Sequence, residues 1–338
     1  MSALSSSDSE LLEQAKTHFD EERLLQAARL LRQVEDKSLL SEQHRKWLHM
    51  ANVVEDAVGD LLSQPNGEWT KQGESHGRYD TSIYYKVDSA ARLTCRLESP
   101  IPSSLLVPLL SVLNESSLYH TWIPSWKNPI SLGVRLSKQL LNDTRGHQII
   151  QVQCDVPWPM AAREVLLDVT AVDDIDENGF IIAKMRTLEE TGDKPTNFTL
   201  PPLEPNMERI EFDGAVLFRA CPPDHPNLAD AQKKFNEDVI LLQLSMFLDA
   251  HVEMVPQSMI NFVTRTVIGH IWNMLLSVAE QVRDGTRTDH CQEIQRKEVF
   301  YKWVEERCRY MQKDRQANSC KEEEDEPWTL EDVLRLSL

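Results

Sequence analysis

The chain has 338 residues, 41% apolar and 27% charged, a balance that excludes global disorder and suits one large domain with attachments, or two domains. Its 54 acidic and 36 basic side chains leave a formal net charge of −18. Such a surface repels nucleic acid and anionic headgroups on average, so no nucleic-acid partner is expected.

Residues 8–63 read as helices. Leu12, Ala15, Phe19, Leu24, Ala28 and Leu31 keep helical spacing, with a break at Asp20-Glu21-Glu22. A further helix over about 41–63 opens at Ser41 and stops at Gln64-Pro65-Asn66-Gly67. The mix of large and small apolar residues weakly resembles a tetratricopeptide helix pair, although no second copy follows at the period of about 34 residues. The segment reads either as a helical cap on the rest of the chain or as a partner-docking module.

From residue 68 the period changes to two. Ser82–Val87 and Arg92–Leu97 read as adjacent strands. A short helix over Ser103–Leu113 follows Pro102, and Trp122, Pro124 and Trp126 form an aromatic turn. Ser131–Leu140 alternates weakly. Clearer strands follow at His147–Val156, Glu164–Asp173, Phe180–Glu189, Glu208–Ala220 and Val239–Leu248. Asp174–Gly179 reads as a hairpin turn, because Asn-Gly tolerates positive φ. Strands in succession joined by short turns imply an antiparallel sheet.

A long helix then runs from Pro256 to about Arg283, ending near Gly285. Ile260, Val263, Val267, Ile271, Met274, Val278 and Val282 form one apolar row, and Met259, Phe262, Trp272, Leu275 and Ala279 a second. A stripe that wide needs partners on more than one side: either a dense core or an apolar cavity. A third helix over about 289–316 carries Ile294, Tyr301, Val304, Cys308 and Met311 on one side. The acidic run Lys321–Glu326 reads as a solvated tail, and Trp328–Leu336 as a segment that docks on a partner or folds back.

Motifs for covalent chemistry are missing. There is no Gly-rich phosphate loop, His-Glu-x-x-His or Gly-x-Ser-x-Gly, and the 11 glycines do not cluster. The six cysteines form no Cys-x-x-Cys pair, so neither a zinc knuckle nor a thioredoxin-type site is expected, and they read as reduced thiols. No metal and no cofactor is expected. No uninterrupted apolar stretch is long enough for a membrane span, and Met1–Asp8 carries no signal-peptide pattern. A cytoplasmic location, peripheral at membranes, is the expectation.

Four pieces carry a family resemblance. Val156-Pro157-Trp158-Pro159-Met160-Ala161-Ala162-Arg163-Glu164 resembles the Trp-Pro-x-x-x-Arg-Asp strand opening of START (steroidogenic acute regulatory protein-related lipid transfer) domains. Asp249 with Val255-Pro256-Gln257-Ser258-Met259-Ile260-Asn261 resembles the approach to that family's last helix. Glu68-Trp69 is similar to the Trp near its first strand, and Leu118-Tyr119-His120-Thr121-Trp122 to its segment ending in Trp-Asp. Order and spacing agree over about 66–284.

The resemblance implies an α+β helix-grip fold: a curved antiparallel sheet wrapped around the long C-terminal helix, leaving a tunnel for one lipid. Here it would carry an N-terminal helical extension and an extra C-terminal helix. The expected division is 1–65 for the helical segment, 66–285 for the START-like domain, and 286–338 for the last helix and acidic tail. The implied function is non-covalent binding and intracellular transfer of one lipid. Each CH₂ withdrawn from water is worth roughly 0.8 kcal/mol, so a long-chained lipid needs an apolar wall to cross water.

On this basis Val263, Val267, Ile271 and Met274 are expected on the cavity wall, Phe262 and Thr266 near the mouth, and Tyr119, Trp122 and Arg163 as further contacts. Arg163 has a second reading, as a pin between sheet and loop. Tyr119 stands where phosphatidylcholine-binding members place an Arg, so a sterol or another neutral lipid is favoured. Ile123 replaces the family's Asp, Glu164 its Asp, and Ala250–Glu253 its Gly-Gly loop. Transient membrane contact is expected, and a protein partner through 1–63 or the acidic tail. Two alternatives stand: a ligand sensor or scaffold acting through its terminal segments, and a cyclase- or hydrolase-type enzyme of the same superfamily. The enzyme would have His270 and Arg163 as its acid–base candidates.

Overall fold

The computed structural model describes residues 6–76, 78–87, 93–123, 125–126, 132–156, 161–188, 198–249 and 257–318. The acidic tail, Trp158 and the segment 250–256 lie outside them.

The N-terminal helices are α1 (Ser6–Asp20), α2 (Leu24–Gln33) and α3 (Glu42–Leu62). The break expected at 20–22 is a sharp corner, where Glu22 takes a φ of +66°. Helix α3 starts where Ser41 predicts. The Ser41 hydroxyl accepts from the His44 N–H, and the His44 ring accepts from the Ser41 N–H, a reciprocal cap. Its buried residues Trp47, Ala51, Val54, Ala57 and Leu61 step by 3 and 4 along one face.

The strands are β1 (Thr70–His76), β2 (Asp80–Val87), β3 (Leu93–Pro102), β4 (Ser125–Trp126), β5 (Leu132–Asn142), β6 (His147–Asp155), β7 (Ala162–Asp174), β8 (Phe180–Thr187), β9 (Met207–Arg209), β10 (Glu211–Ala220) and β11 (Val239–Asp249). Helix α4 (Leu106–Asn114) and the single turn α5 (Tyr119–Trp122) separate β3 from β4. They form one 11-stranded sheet in the order β1-β2-β3-β11-β10-β8-β7-β6-β5-β4. Neighbours along this path are antiparallel, as expected, and β9 alone pairs with β7 in parallel. The expected hairpin turn at 174–179 is a short helix, α6 (Ile175–Asn178), closed by Gly179 at φ +70°.

Helix α7 (Leu228–Phe235) was not signalled by periodicity. The long helix α8 (Gln257–Arg283) falls where expected. The third helix is two: α9 (Thr288–Arg296) and α10 (Glu298–Asn318), parted at Lys297.

Both faces of the central strands are apolar, and both are covered. On β10, Val216 and Phe218 join the inner core while Ala215 and Leu217 join the N-terminal helices. On β8, Phe180 and Ile182 face those helices, and Ile181 and Met185 pack against the inner core. The result is three layers: α1–α3, the curved sheet, then α4, α8 and α10. Helix α8 packs on α4 and reaches the sheet through Trp272, whose indole N–H donates to Ser99 Oγ at 3.1 Å. Helix α10 packs on α4, α6 and β10.

The helical layer is bolted to the sheet by a buried polar cluster. Arg96, 2% exposed, donates to the carbonyls of Asp60, Leu61 and Ser63 at 2.7–2.8 Å and to Glu98 at 2.7 Å. Gln243 donates to Leu61 O and to Glu98. The cation sits at the carbonyl end of α3, where the helix dipole favours it.

Candidate functional site

A cavity of about 130 Å³ lies between the concave face of the sheet, α4 and α10. Its floor is the inward face of β7, β8 and β10: Val169, Ile181, Ala183, Met185, Val216 and Phe218. Leu110 and Leu113 of α4 form a side wall, and Phe300, Trp303 and Val304 of α10 form the roof. The strands present these residues because alternate side chains share a face. Helix α10 presents its own because positions three and four apart do.

One end of the cavity is polar. Glu22, Asn114, Asn142, Arg145, His147 and Gln148 meet there. This end opens into an outer cleft of about 630 Å³, which shares Glu22, Asn114, Asn142, Arg145 and Phe300 and adds Phe19, Asp143 and Lys297.

The polar end is internally paired. Glu22 accepts the Arg145 N–H at 3.0 Å, while the Arg145 guanidinium donates to Asp20 O at 3.2 Å and lies 4.8 Å from the centre of the Trp303 ring. Burial raises the Glu22 pKa, against the pull of its bonds to Arg145. His147 lies between Asp143 at 2.5 Å and Asp168 at 2.9 Å. Burial opposes its charge, but these two carboxylates outweigh burial and lift its pKa to about 9. Helix α10 is held in place by Glu115, which accepts from Lys297 at 2.6 Å and from Tyr301 at 2.5 Å, and by Arg307, which pairs with Asp173 and Asp176.

The predicted residues fall in several places. Tyr119 lines the cavity, and its hydroxyl donates to Leu113 O at 2.5 Å. Trp122 is buried in the core, edge-on to Tyr119 with ring centroids 5.8 Å apart. Ile271 and Met274 pack against the same core from α8, off the cavity wall. The side chains of Phe262, Val263, Thr266 and Val267 lie outside the described residues. Arg163 is buried at the start of β7, donates to Ala161 O at 2.6 Å and pairs with Glu208 of β9 at 3.1 Å. These contacts are those of a pin between sheet and loop. His270 is exposed on α8, so the two acid–base candidates do not meet in the cavity.

The sequence reading missed the α10 roof and the contribution of Glu22. The apolar row Tyr301, Val304, Cys308, Met311 was the signal for α10, since such a row requires a partner. The thiols of Cys154 and Cys308 are pushed up by burial to about 11 and about 12, so neither is a nucleophile at neutral pH. Among the described residues no group of three His, Cys, Asp or Glu is placed to hold a metal, and no helix is long and apolar enough to cross a membrane.

No family model matches the chain, and no curated protein matches it in sequence. Solved structures do resemble it. Human StAR-related lipid transfer protein 5 aligns at 14% identity and a TM-score of 0.51, covering 71% of this chain and 99% of that one. Human STARD10 aligns at 9% identity and a TM-score of 0.47, covering 73% and 83%. The Zhui aromatase/cyclase from Streptomyces aligns at 14% identity and a TM-score of 0.31, covering 56% and 94%. The first of these likenesses establishes the fold: the chain has the START helix-grip architecture.

Proposed function

We propose that this chain binds one lipid non-covalently inside the grip and carries it between membranes. The observation that supports this reading is an apolar cavity enclosed by the curved sheet and its helices, in a fold shared with a protein named for lipid transfer. Tyr119 on the chamber wall and, along α8, Phe262, Val263, Thr266 and Val267 are assigned to the lipid; Trp122, Ile271 and Met274 back it from the adjoining core, and Arg163 pins the sheet to its loop. A sterol or another neutral lipid is favoured over phosphatidylcholine, because Tyr119 offers no guanidinium for a phosphate. Exchange requires transient contact with a membrane, and no covalent step is needed.

Size bears on the mechanism. About 130 Å³ is room for roughly four waters, while ligand pockets usually span about 300–1,000 Å³. A whole lipid therefore fits only with the outer cleft included, or after a helix of the inner layer has moved. Native mass spectrometry of the purified chain, with extraction of any bound lipid, tests the reading. Met274→Arg places a charge among core side chains and is expected to abolish uptake. Normal uptake by a folded Met274→Arg protein removes α8 from the site.

A further inference from the structure

The entrance to the chamber is built partly by the N-terminal helices, and its charges are already matched. Glu22 reaches it from the α1–α2 corner in a left-handed conformation that a non-glycine residue adopts only under constraint. The hairpin between β5 and β6 closes on it. Gly146 makes that approach possible, since a Cβ there would lie 2.6 Å from Ala171 O and 2.8 Å from Glu22 Oε2.

Around this corner the charges are paired: Glu22 accepts the Arg145 N–H with the Arg145 guanidinium 3.9 Å away, Asp143 meets His147, Lys297 meets Glu115 and, at the surface, Asp20 meets Lys16. A charged headgroup would have to break one of these pairs while losing its own hydration. Two amides are left for a ligand. Asn114 Nδ2 is engaged by Glu115 and the Tyr301 hydroxyl, but its Oδ1 accepts no bond among the described residues. The exposed Asn142 amide makes no bond among them either. Behind these amides lies the apolar chamber under Phe300 and Val304.

We infer that an uncharged amphiphile binds at this end of the grip. Its alkyl end fills the chamber beneath α10, and its hydroxyl or amide head lies in the outer cleft between Asn114 and Asn142. The inference rests on the lipid-binding reading and places the ligand's head at the α1–α2 corner, away from Arg163. The chamber and cleft together offer the volume that the chamber alone lacks.

The test uses the full chain and three probes with one common chain: oleyl alcohol, oleate and oleylamine, titrated at pH 8. The alcohol is expected to bind at least about ten-fold more tightly than either ion, because each ion must give up hydration at a mouth whose own charges are already paired. Asn114→Leu is expected to weaken the alcohol by about five-fold, the worth of one neutral hydrogen bond. Phe300→Glu, checked for folding by its melting curve, is expected to abolish binding. Equal or tighter binding of oleate or oleylamine overturns the inference. Unchanged affinity in both variants overturns it as well. Alcohol binding that survives Phe300→Glu but is lost in Met274→Arg moves the ligand beneath α8 and leaves lipid binding standing. Failure of all three probes, with no lipid extracted from the purified chain, overturns both readings.

Discussion

Two side chains show how this molecule places charge in its interior. Arg96 sits between Glu98 and three carbonyls at the end of α3, those of Asp60, Leu61 and Ser63, with almost no exposure. Arg96→Met removes the cation and leaves the buried Glu98 carboxylate with Gln243 but without its charge partner. We expect a loss of about 3–5 kcal/mol in a denaturant titration, since breaking a buried pair from one side costs more than the pair is worth. A loss below about 1 kcal/mol would mean that water replaces the guanidinium. His147 makes a pH-dependent contribution. Its folded pKa of about 9 lies above the ordinary 6.5, so its stabilisation is complete below about pH 6.5 and disappears as pH rises through 9. The stability gap between the native chain and His147→Gln should therefore be full at pH 6 and vanish by pH 10. A gap that stays constant across this range would show that folding leaves the imidazole pKa unshifted.

At the scale of elements, the N-terminal helices are a structural layer and not a detachable module. They cover Val172, Phe180, Ile182, Ala215 and Leu217 on the outer face of the sheet. Exposing the four larger of these would cost roughly 6–12 kcal/mol, comparable with the whole stability of a typical domain. Deletion of residues 1–63 is expected to yield an insoluble or molten chain, seen as loss of the cooperative melt. A soluble, cooperatively melting remainder would contradict this. Of the two readings of this segment, the shared core favours the helical cap over the partner-docking module. One clue was present: Phe180-Ile181-Ile182-Ala183 and Ala215-Val216-Leu217-Phe218 are apolar on consecutive positions, the mark of strands buried on both faces. Helix α8, the strand order from β5 to β8 and the Ser41 cap were legible because period, turn residues and capping chemistry are local. The α10 roof and the Glu22 corner were not. Each depends on contacts across more than a hundred residues, such as Arg145 with Glu22 and Arg307 with Asp173. Helix α7 escaped notice because its short apolar set, Leu228 and Ala231, spans barely one turn.

At the scale of the whole molecule, both ends of the described chain border the cavity: Glu22 at its mouth and α10 as its roof. The candidate site thus draws on the α1–α2 corner, the sheet, α4 and α10. The proposed function requires that this interior hold a lipid. Native mass spectrometry of the full chain, with extraction and identification of whatever is released on denaturation, tests this most directly. One neutral lipid per chain is the predicted result. A chain that is purified empty, and takes up nothing from mixed liposomes, would contradict it.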